Sequence, residues 1–329
     1  MGRMLRDVRI SVTDRCNFRC TYCMPREIYG PGHAFLPQSE LLTFAELERV
    51  ARVFALAGAR RIRITGGEPL LRPRLEELIA RIAAIPEVED IALTTNGVLL
   101  AQQASALKAA GLRRVTVSLD GLREEVFRAM SDTALSVQAV LDGIEAARAC
   151  GFDPVKVNMV VRRGVNEGEV VAMAKKFARE GYVLRFIEYM DVGSTNGWRL
   201  QDVVPAGEIL QTLGGMECLE ELPPQHSGET ARRYRLRGGA GEIGVISSVS
   251  EPFCRGCTRA RVAANGRLHT CLFGAGVLDL RALIRAGLSD VELLERIRSA
   301  WAQRSDRYSE LRASETSPGG KTEMSVLGG

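Results

Sequence analysis

The sequence predicts an α/β protein: a partial (β/α)6 barrel of the TIM type, followed by a C-terminal α+β extension. Up to about residue 195, short apolar or β-branched runs alternate with helical patterns. This rhythm is typical of a parallel sheet with right-handed crossovers. Beyond about residue 195 this alternation of strand and helix patterns ends, and Gly, Pro and charged residues become denser over 213–241. We therefore predict a barrel domain over 1–195, a C-terminal domain over 196–313 and a flexible double-glycine tail over 314–329.

Each predicted element follows from a local pattern. Thr43 and Glu46 form a capping box that begins a helix, and Gly58 ends it. Apolar residues at helical spacing begin two more helices near Leu75 and Val137. The predicted strands are 7–13, 61–65, 90–94, 114–119, 155–161 and 183–188 in the barrel and 244–248 in the extension, where helices are predicted near 278–286 and 290–303.

Composition excludes some classes of protein. The chain has 329 residues and a net charge of +4, a mild excess that does not demand nucleic acid as a partner. No apolar run has membrane-spanning length, and the N-terminus lacks a secretory signal. Its eight cysteines include two triplets, which favours metal thiolates in a reducing cytoplasm over disulfides. We therefore predict a cytoplasmic protein without a membrane or nucleic-acid partner.

Strand alternation predicts a cationic cavity inside the barrel. Residues i and i+2 share one face of a strand, and the apolar face must contact the outer helices. The polar face then turns inward, and in four strands it includes Arg9, Arg61, Arg63, Lys156 and Arg185. Five enclosed cations repel one another strongly unless a polyanion neutralises them. A nucleoside triphosphate is such a ligand.

A first cysteine triplet follows the first strand. Cys16, Cys20 and Cys23 have the spacing C-x3-C-x2-C, which suits three corners of a four-iron cluster. Three thiolates leave one iron open for chemistry. The alternatives are three unrelated buried cysteines or a zinc site without its fourth ligand.

A second triplet, Cys254, Cys257 and Cys271, lies far along the chain and predicts a separate metal site. A structural zinc with His269 as fourth ligand and an iron–sulfur cluster fit these residues about equally. Arg259 and Arg261 alternate on one strand face directly beyond Cys257. Two cations beside a metal favour a second site for an anionic ligand, which a structural zinc does not require.

Gly66, Gly67, Glu68 and Pro69 follow the second strand and complete a recognisable pair of motifs with the first triplet. Together they resemble the radical S-adenosylmethionine (SAM) superfamily. The resemblance implies that SAM chelates the open iron, that Glu68 and its neighbours receive the SAM amino group, and that reduction releases a 5′-deoxyadenosyl radical. The SAM contacts it implies are Tyr22, Gly66, Gly67, Glu68, Thr94, Asn96, Ser118 and Met190.

The resemblance becomes more specific over nearly the whole chain. Residues 9–16, 66–72, 191–198, 253–261 with 271–273, and Gly328–Gly329 resemble the GTP 3′,8-cyclase family. In that family the second cluster binds guanine, and a double-glycine tail enters the active site. The resemblance implies GTP contacts at Arg9, Arg61, Arg63, Lys156, Arg185, Arg259 and Arg261, and catalytic roles for Arg259, Arg261, Gly328 and Gly329. Arg61 stands where lysine is expected, and 131–135 depart from the family pattern.

The implied function is conversion of GTP to (8S)-3′,8-cyclo-7,8-dihydroguanosine 5′-triphosphate, the first step of molybdenum cofactor biosynthesis. The implied cofactors are two [4Fe-4S] clusters and SAM. The implied partners are a flavodoxin- or ferredoxin-like electron donor, the cyclic pyranopterin monophosphate synthase that receives the product, and a second copy of the chain in a homodimer.

Two other functions are considered. A radical peptide-modifying enzyme also has auxiliary clusters, but its longer C-terminal cysteine arrays and N-terminal peptide-docking domain are not expected here. A zinc- or cluster-bearing nucleic-acid binder needs an exposed basic stripe with stacking aromatics, whereas only 5% of residues are aromatic and many cations alternate inward.

Overall fold

A computed structural model describes residues 2–226, 228–238, 241–312 and 321–328 of the chain. Its centre is a run of six adjacent parallel strands. They are β1 (Asp7–Ser11), β2 (Arg61–Thr65), β3 (Asp90–Thr95), β4 (Arg114–Ser118), β5 (Lys156–Val161) and β6 (Val183–Glu188). Each predicted barrel strand is confirmed to within two residues at either end.

Helices connect these strands on the outer face of the sheet. They are α1 (Phe44–Leu56), α2 (Leu75–Ala83), α3 (Leu100–Ala109), α4 (Glu124–Ser131), α5 (Val137–Ala149) and α6 (Val170–Met173), which continues as a π-helical turn (Ala174–Ala178). The predicted capping box is confirmed: the Glu46 amide donates to Thr43 Oγ1 at 3.2 Å, and the Thr43 amide donates to Glu46 Oε2 at 2.7 Å. Sequence patterns did not indicate α3 and α4.

The C-terminal strands extend both edges of the barrel sheet. These strands are β7 (Leu219–Leu222), β8 (Arg232–Leu236), β9 (Glu242–Ile246), β10 (Arg259–Val262), β11 (Arg267–His269) and β12 (Leu278–Asp279). β10 pairs in parallel with β1, and β9 pairs in parallel with β6. Within the described residues, the strand order is β12-β11-β10-β1-β2-β3-β4-β5-β6-β9-β8-β7. The residues predicted as a separate extension therefore continue the same sheet.

After the barrel, the described part of the chain contains six further α-helices: α7 (Ala206–Thr212), α8 (Gly215–Cys218), α9 (Leu280–Arg285), α10 (Asp290–Ala302), α11 (Tyr308–Leu311) and α12 (Met324–Leu327). The helix predicted over 278–286 begins later, because Leu278 and Asp279 pair with β11 and the Asp279 carboxylate caps the helix through the Ala282 amide at 2.9 Å. Among the described residues, none of the helices has the length and apolar character needed to cross a membrane.

The predicted alternation of faces accounts for the core. Val8, Ile10, Ile62 and Ile64 are at most 1% exposed, and they belong to the cluster that contains the apolar faces of α1 and α2. The intervening polar residues face the interior of the barrel. Burial of the outer apolar face thus orients the polar side chains of every barrel strand toward one cavity.

Candidate active site

Both cysteine triplets line a single cavity at the carboxyl ends of the barrel strands, where TIM-type barrels place their active sites. The predicted residues that line it are Arg9, Cys16, Cys20, Tyr22, Cys23, Arg63, Gly66, Gly67, Glu68, Thr94, Asn96, Ser118, Arg185, Met190, Cys254, Cys257, Arg259, Arg261, Cys271 and Gly328. Residues remote in sequence therefore converge on one site.

Three predicted residues are not placed there. Gly329 lies outside the described residues. Arg61 and Lys156 are the first residues of β2 and β5, and neither is among the lining residues. Arg61 instead forms an ion pair with Asp7, with 2.7 Å between Arg61 Nε and Asp7 Oδ1. Arg61 precedes Arg63 by two residues on β2, and Lys156 pairs with Val183, two residues before Arg185 on β6. Each therefore lies one layer nearer the amino end of the strands than a lining arginine.

Gly66 and Gly67 allow two backbone segments to approach each other. A β-carbon on Gly67 would lie 2.4 Å from the Arg15 carbonyl oxygen, and one on Gly66 would lie 2.6 Å from the Thr13 carbonyl oxygen. The Gly67 amide donates to the Thr13 oxygen at 2.8 Å. The glycines thus press the turn after β2 against the segment that leads into the first triplet, so that Glu68 and Cys16 reach the same cavity.

Glu68 is a buried carboxylate held by three donors. Its Oε1 accepts from Thr95 Oγ1 at 2.7 Å and from the Leu70 amide at 3.0 Å, and its Oε2 accepts from the Asn96 amide at 2.7 Å. Burial raises the pKa of Glu68 to about 7, although these hydrogen bonds oppose the shift. A fixed carboxylate in a buried site is suited to bind an ammonium group.

Tyr22 is fixed on the opposite side of the first triplet. Its hydroxyl donates to Asp120 Oδ2 at 2.7 Å, and Asp120 Oδ1 accepts from the Val160 amide at 2.8 Å. Burial raises the pKa of Asp120 to about 6. The first triplet therefore lies between two buried carboxyl groups, those of Glu68 and Asp120.

The thiols of the first triplet have the chemistry expected of iron ligands. Burial and then the nearby Glu68 carboxylate raise the pKa of Cys16 to about 12. Burial also raises the pKa of Cys20 and of Cys23, and neighbouring thiols add to both shifts. Three adjacent buried thiolates are stable only next to a cation, and iron supplies that charge. These donors fit a [4Fe-4S] cluster.

The second triplet has cationic surroundings. Burial acts to raise the pKa of Cys257, but Arg259 and Arg304 outweigh it and lower the value to about 6. Arg304 donates to Cys257 Sγ at 3.3 Å and to the Cys257 carbonyl oxygen at 2.8 Å. A stabilised thiolate fits a cluster ligand. Arg304 follows α10 and belongs to no motif, so no signal in the sequence indicated it.

His269 is not placed as a fourth ligand of the second triplet. Its Nδ1 atom lies 3.1 Å from the Gly274 carbonyl oxygen, and the residue is absent from the lining of the cavity. The zinc alternative that used His269 therefore has no support from the residues that line this cavity.

Five arginines form a band between the two triplets, and we call Arg9, Arg63, Arg185, Arg259 and Arg261 the arginine band. None of them makes an ion pair with a carboxylate in the part of the chain that the structure describes. Burial, followed by mutual repulsion, lowers the pKa of Arg63 to about 9 and that of Arg261 to about 10. Buried cations of this kind match a polyphosphate, which supplies the missing counter-charge.

The described end of the tail reaches the arginine band. Leu327 is fully buried, and Arg261 Nη1 lies 3.5 Å from the Gly328 carbonyl oxygen. Gly328 has a φ of +69°, and a β-carbon there would lie 2.3 Å from Thr65 Cγ2. Only glycine fits this position. In isolation the tail was predicted to be flexible, whereas residues 321–328 pack against the barrel.

The fold and the cavity define the class of protein, a radical SAM enzyme with an additional metal-binding domain. The Radical SAM superfamily matches residues 10–177, and the Molybdenum Cofactor Synthesis C family matches residues 182–310. The chain belongs to the GTP 3′,8-cyclase family of radical SAM enzymes, a conclusion that rests on full-length similarity to curated relatives.

Three of these relatives illustrate the similarity. The GTP 3′,8-cyclase of Acidothermus cellulolyticus is 56% identical over 95% of this chain and 88% of its own length. That of Xanthomonas axonopodis pv. citri is 48% identical over 100% of this chain and 97% of its own length. That of Staphylococcus haemolyticus is 45% identical over 96% of this chain and 93% of its own length.

A solved structure supports the fold independently. Streptococcus suis SuiB bound to S-adenosylmethionine has a TM-score of 0.65 and covers 99% of this chain and 77% of its own chain, at 12% identity. At this identity the similarity concerns the fold alone. As a member of its family, the chain uses SAM and two [4Fe-4S] clusters, which Cys16, Cys20 and Cys23 and then Cys254, Cys257 and Cys271 are placed to hold.

Proposed function

We propose that this protein converts GTP to (8S)-3′,8-cyclo-7,8-dihydroguanosine 5′-triphosphate, the first step of molybdenum cofactor biosynthesis. One observation supports this most directly: two cysteine triplets and the arginine band line the same cavity. A ligand that spans this cavity meets SAM at one end and the second cluster at the other. GTP has the matching parts, a polyanionic triphosphate and a base with ligand atoms for iron.

When bound, the first cluster and SAM supply the radical chemistry that abstracts hydrogen from C3′ of the ribose and leads to closure on guanine C8. The contribution of the protein is placement. Glu68 is positioned to bind the SAM ammonium, with Tyr22, Thr94, Asn96, Ser118 and Met190 near the rest of SAM. Arg9, Arg63 and Arg185 are positioned to bind the triphosphate.

Arg61 and Lys156 are proposed to act from the deeper layer. Burial, and then repulsion by Arg185 and other cations, lowers the pKa of Lys156 to about 8. The Lys156 ammonium therefore interacts electrostatically with the arginine band. Arg61 forms an ion pair with Asp7, so its charge is largely compensated there. Of the two residues, Lys156 therefore contributes more to the potential that attracts the triphosphate.

We propose that four residues take part in the reaction: Arg259, Arg261, Gly328 and Gly329. Closure of the new ring consumes one electron and one proton. Arg261 lies within hydrogen-bond distance of Gly328, and both residues line the cavity. We propose that Arg259 or Arg261 positions or protonates the nucleotide radical, and that Gly328 with Gly329 completes the site. The proposal fails if Arg259→Ala and Arg261→Ala change only the affinity for GTP.

Anaerobic incubation of the reconstituted protein with SAM, a reductant and GTP tests the reaction. We expect 5′-deoxyadenosine and a GTP-derived cyclic product by mass spectrometry. ATP in place of GTP serves as the substrate control, because it has the same triphosphate and a different base. Absence of both products from the GTP reaction contradicts the proposed function.

We propose three partners for this activity. The chemistry requires a low-potential flavodoxin- or ferredoxin-like donor, and the product suits transfer to the cyclic pyranopterin monophosphate synthase. A homodimer is proposed from family resemblance, and sedimentation of the anaerobic protein tests it. All eight cysteines are free thiols, which supports work in the reducing cytoplasm.

A further inference from the structure

The loop after β6 contains the family motif 191–198, to which the proposed function gives no role. We call residues 189–198 the receptor loop. Its hydrogen bonds make it rigid: Tyr189 Oη donates to the Asn196 carbonyl oxygen at 2.8 Å, and Asn196 Nδ2 donates to the carbonyl oxygens of Met190 at 3.2 Å and Val192 at 3.1 Å. Trp198 Nε1 donates to the Tyr189 oxygen at 2.9 Å.

One turn of this loop binds a carboxylate of the tail. Glu323 Oε1 accepts from the Ser194 amide at 2.8 Å and from Ser194 Oγ at 2.9 Å, and Glu323 Oε2 accepts from Thr195 Oγ1 at 2.7 Å. Three donors therefore converge on one carboxylate. Hydrogen bonds to a charged group are the stronger kind.

Gly193 is required for this contact. Its φ is +76°, which favours glycine, and a β-carbon there would lie 2.0 Å from Glu323 Oε2. Any side chain at this position would displace the carboxylate. Gly193 of the motif and Glu323 of the tail are thus sterically complementary.

Asp191 binds the chain on both sides of residues 313–320, which lie outside the described part. Tyr308 Oη donates to its Oδ2 at 2.5 Å, and Arg312 Nε donates to its Oδ1 at 2.9 Å. From the far side, Lys321 Nζ donates to its Oδ2 at 2.9 Å and to its carbonyl oxygen at 3.2 Å. Asp191 is 5% exposed, so these contacts are partly shielded from water.

These contacts lie only a few residues before the site of the reaction. Glu323 directly precedes α12, which ends at Leu327, and Gly328 follows at Arg261. Met190, next to Asp191, lines the same cavity as Gly328. The anchor of the tail and a predicted SAM contact therefore belong to one rigid loop.

We propose that the receptor loop is the docking site of the C-terminal tail, and that Asp191–Lys321 and the Gly193–Thr195 turn with Glu323 are positioning contacts that hold the glycine terminus at Arg261. The proposal deepens the proposed function, since it assumes that the tail serves the reaction in this cavity. Glu323 and Lys321 do not touch substrate in this scheme; they set the fraction of time for which Gly328 is in place.

Two variants test the proposal from opposite sides of the contact. Glu323→Ala removes the carboxylate, and Gly193→Ala leaves the carboxylate but blocks its approach. Glu323→Gln keeps the shape and one acceptor, and is expected to lie between wild type and Glu323→Ala. Glu125→Gln is the matched control, because Glu125 has a side chain that is 70% exposed on α4 and lies outside the tail and the cavity.

Two readouts are measured on the anaerobic holoprotein. Hydrogen exchange by mass spectrometry over 321–328 is expected to be about tenfold faster in Glu323→Ala and Gly193→Ala, since each loses charge-assisted hydrogen bonds of that magnitude. The ratio of cyclic product to 5′-deoxyadenosine is expected to fall about tenfold, while iron content and the melting temperature stay at the level of Glu125→Gln.

The outcomes separate this proposal from the proposed function. Unchanged exchange in Glu323→Ala and Gly193→Ala overturns the docking site. Faster exchange with an unchanged product ratio overturns the positioning role. A wild-type protein that makes no cyclic product contradicts the proposed function, and the exchange measurement then still tests the docking site alone.

Discussion

The two cysteine triplets line one cavity but have opposite electrostatic surroundings. The first lies between the buried carboxyl groups of Glu68 and Asp120, and burial followed by Glu68 raises the pKa of Cys16 to about 12. The second lies beside Arg259 and Arg304, which bring the pKa of Cys257 to about 6 despite burial. One end of the cavity therefore favours positive charge, and the other favours negative charge.

This difference in charge indicates at which end of the cavity each of the two ligands is favoured. SAM has a sulfonium and an ammonium group, which suit the acidic end. GTP is a polyanion, which suits the arginine band and the cationic end. Fixed charges of opposite sign thus favour one orientation of the ligand pair before any hydrogen bond is made. Four predictions test this difference, beginning with the largest effect.

The largest effect is expected from removing one thiol at either end. Cys20→Ala is expected to abolish formation of both 5′-deoxyadenosine and cyclic product. Cys257→Ala is expected to abolish cyclic product while 5′-deoxyadenosine still forms, because SAM is bound at the other end. Each variant should contain about four irons, against about eight in wild type. Identical product losses in both variants would contradict separate roles.

Glu68→Gln tests the acidic end. The variant keeps the size of the side chain but removes the charge that is proposed to bind the SAM ammonium. We expect SAM affinity to fall about thirtyfold, on the order of 2 kcal/mol, with GTP affinity unchanged. Anaerobic calorimetry measures both affinities. An equal loss for the two ligands would show that Glu68 supports the fold of the cavity and does not select SAM.

Arg304→Met tests the cationic end. The variant loses the donor to Cys257 Sγ, so we expect product formation to fall about tenfold while SAM cleavage is retained. The reduction potential of the second cluster should become more negative, because a nearby cation stabilises its reduced form. A redox titration followed by electron paramagnetic resonance measures this shift. Arg298→Met on α10 is the control, since Arg298 bonds only the Leu56 carbonyl oxygen among the contacts described.

The smallest effect concerns Lys156, below the arginine band. Its pKa is about 8 in the folded protein and near 10.5 when unfolded, because burial and then Arg185 oppose its charge. Between pH 8 and 10.5 the unfolded chain binds a proton that the folded chain lacks, so the stability contribution of this group rises with pH. At pH 7, Lys156→Met should therefore be more stable than wild type by about 1 kcal/mol.

That advantage of Lys156→Met should shrink as the pH rises above 8. Thermal unfolding of wild type and variant at pH 7 and pH 9.5, under anaerobic conditions, measures the difference. Lys108→Met is a matched control, because the Lys108 ammonium lies in an exposed hydrogen bond to the Gly151 carbonyl oxygen. A difference between wild type and Lys156→Met that does not change with pH would contradict the shifted pKa.

Much of the site was predictable because it depends on local patterns. The spacing of Cys16, Cys20 and Cys23 is set by neighbouring residues, and the inward face of each strand follows from its period of two. The capping box at Thr43 is also local, and it is confirmed. Resemblance to a family added the ligands that such patterns do not specify.

Other features depend on contacts that no local pattern encodes. The turn at Gly66 and Gly67 packs against the backbone of Thr13 and Arg15, which belong to a distant part of the chain. Arg304 reaches Cys257 from a position 47 residues away. The binding of Glu323 to the Gly193–Thr195 turn joins segments separated by about 128 residues.

The sequence by itself predicted the barrel strands, the face on which each of their side chains lies and the two cysteine triplets, because these follow from chain periodicity and from short spacings. Only the tertiary structure decided depth. Arg61 and Arg63 share one face of β2, yet Arg63 lines the cavity and Arg61 pairs with Asp7 below it. Alternation specifies a face, whereas the layer along the barrel axis is set by the register of hydrogen bonds between strands, which places Arg9 beside Arg63 and Asp7 beside Arg61.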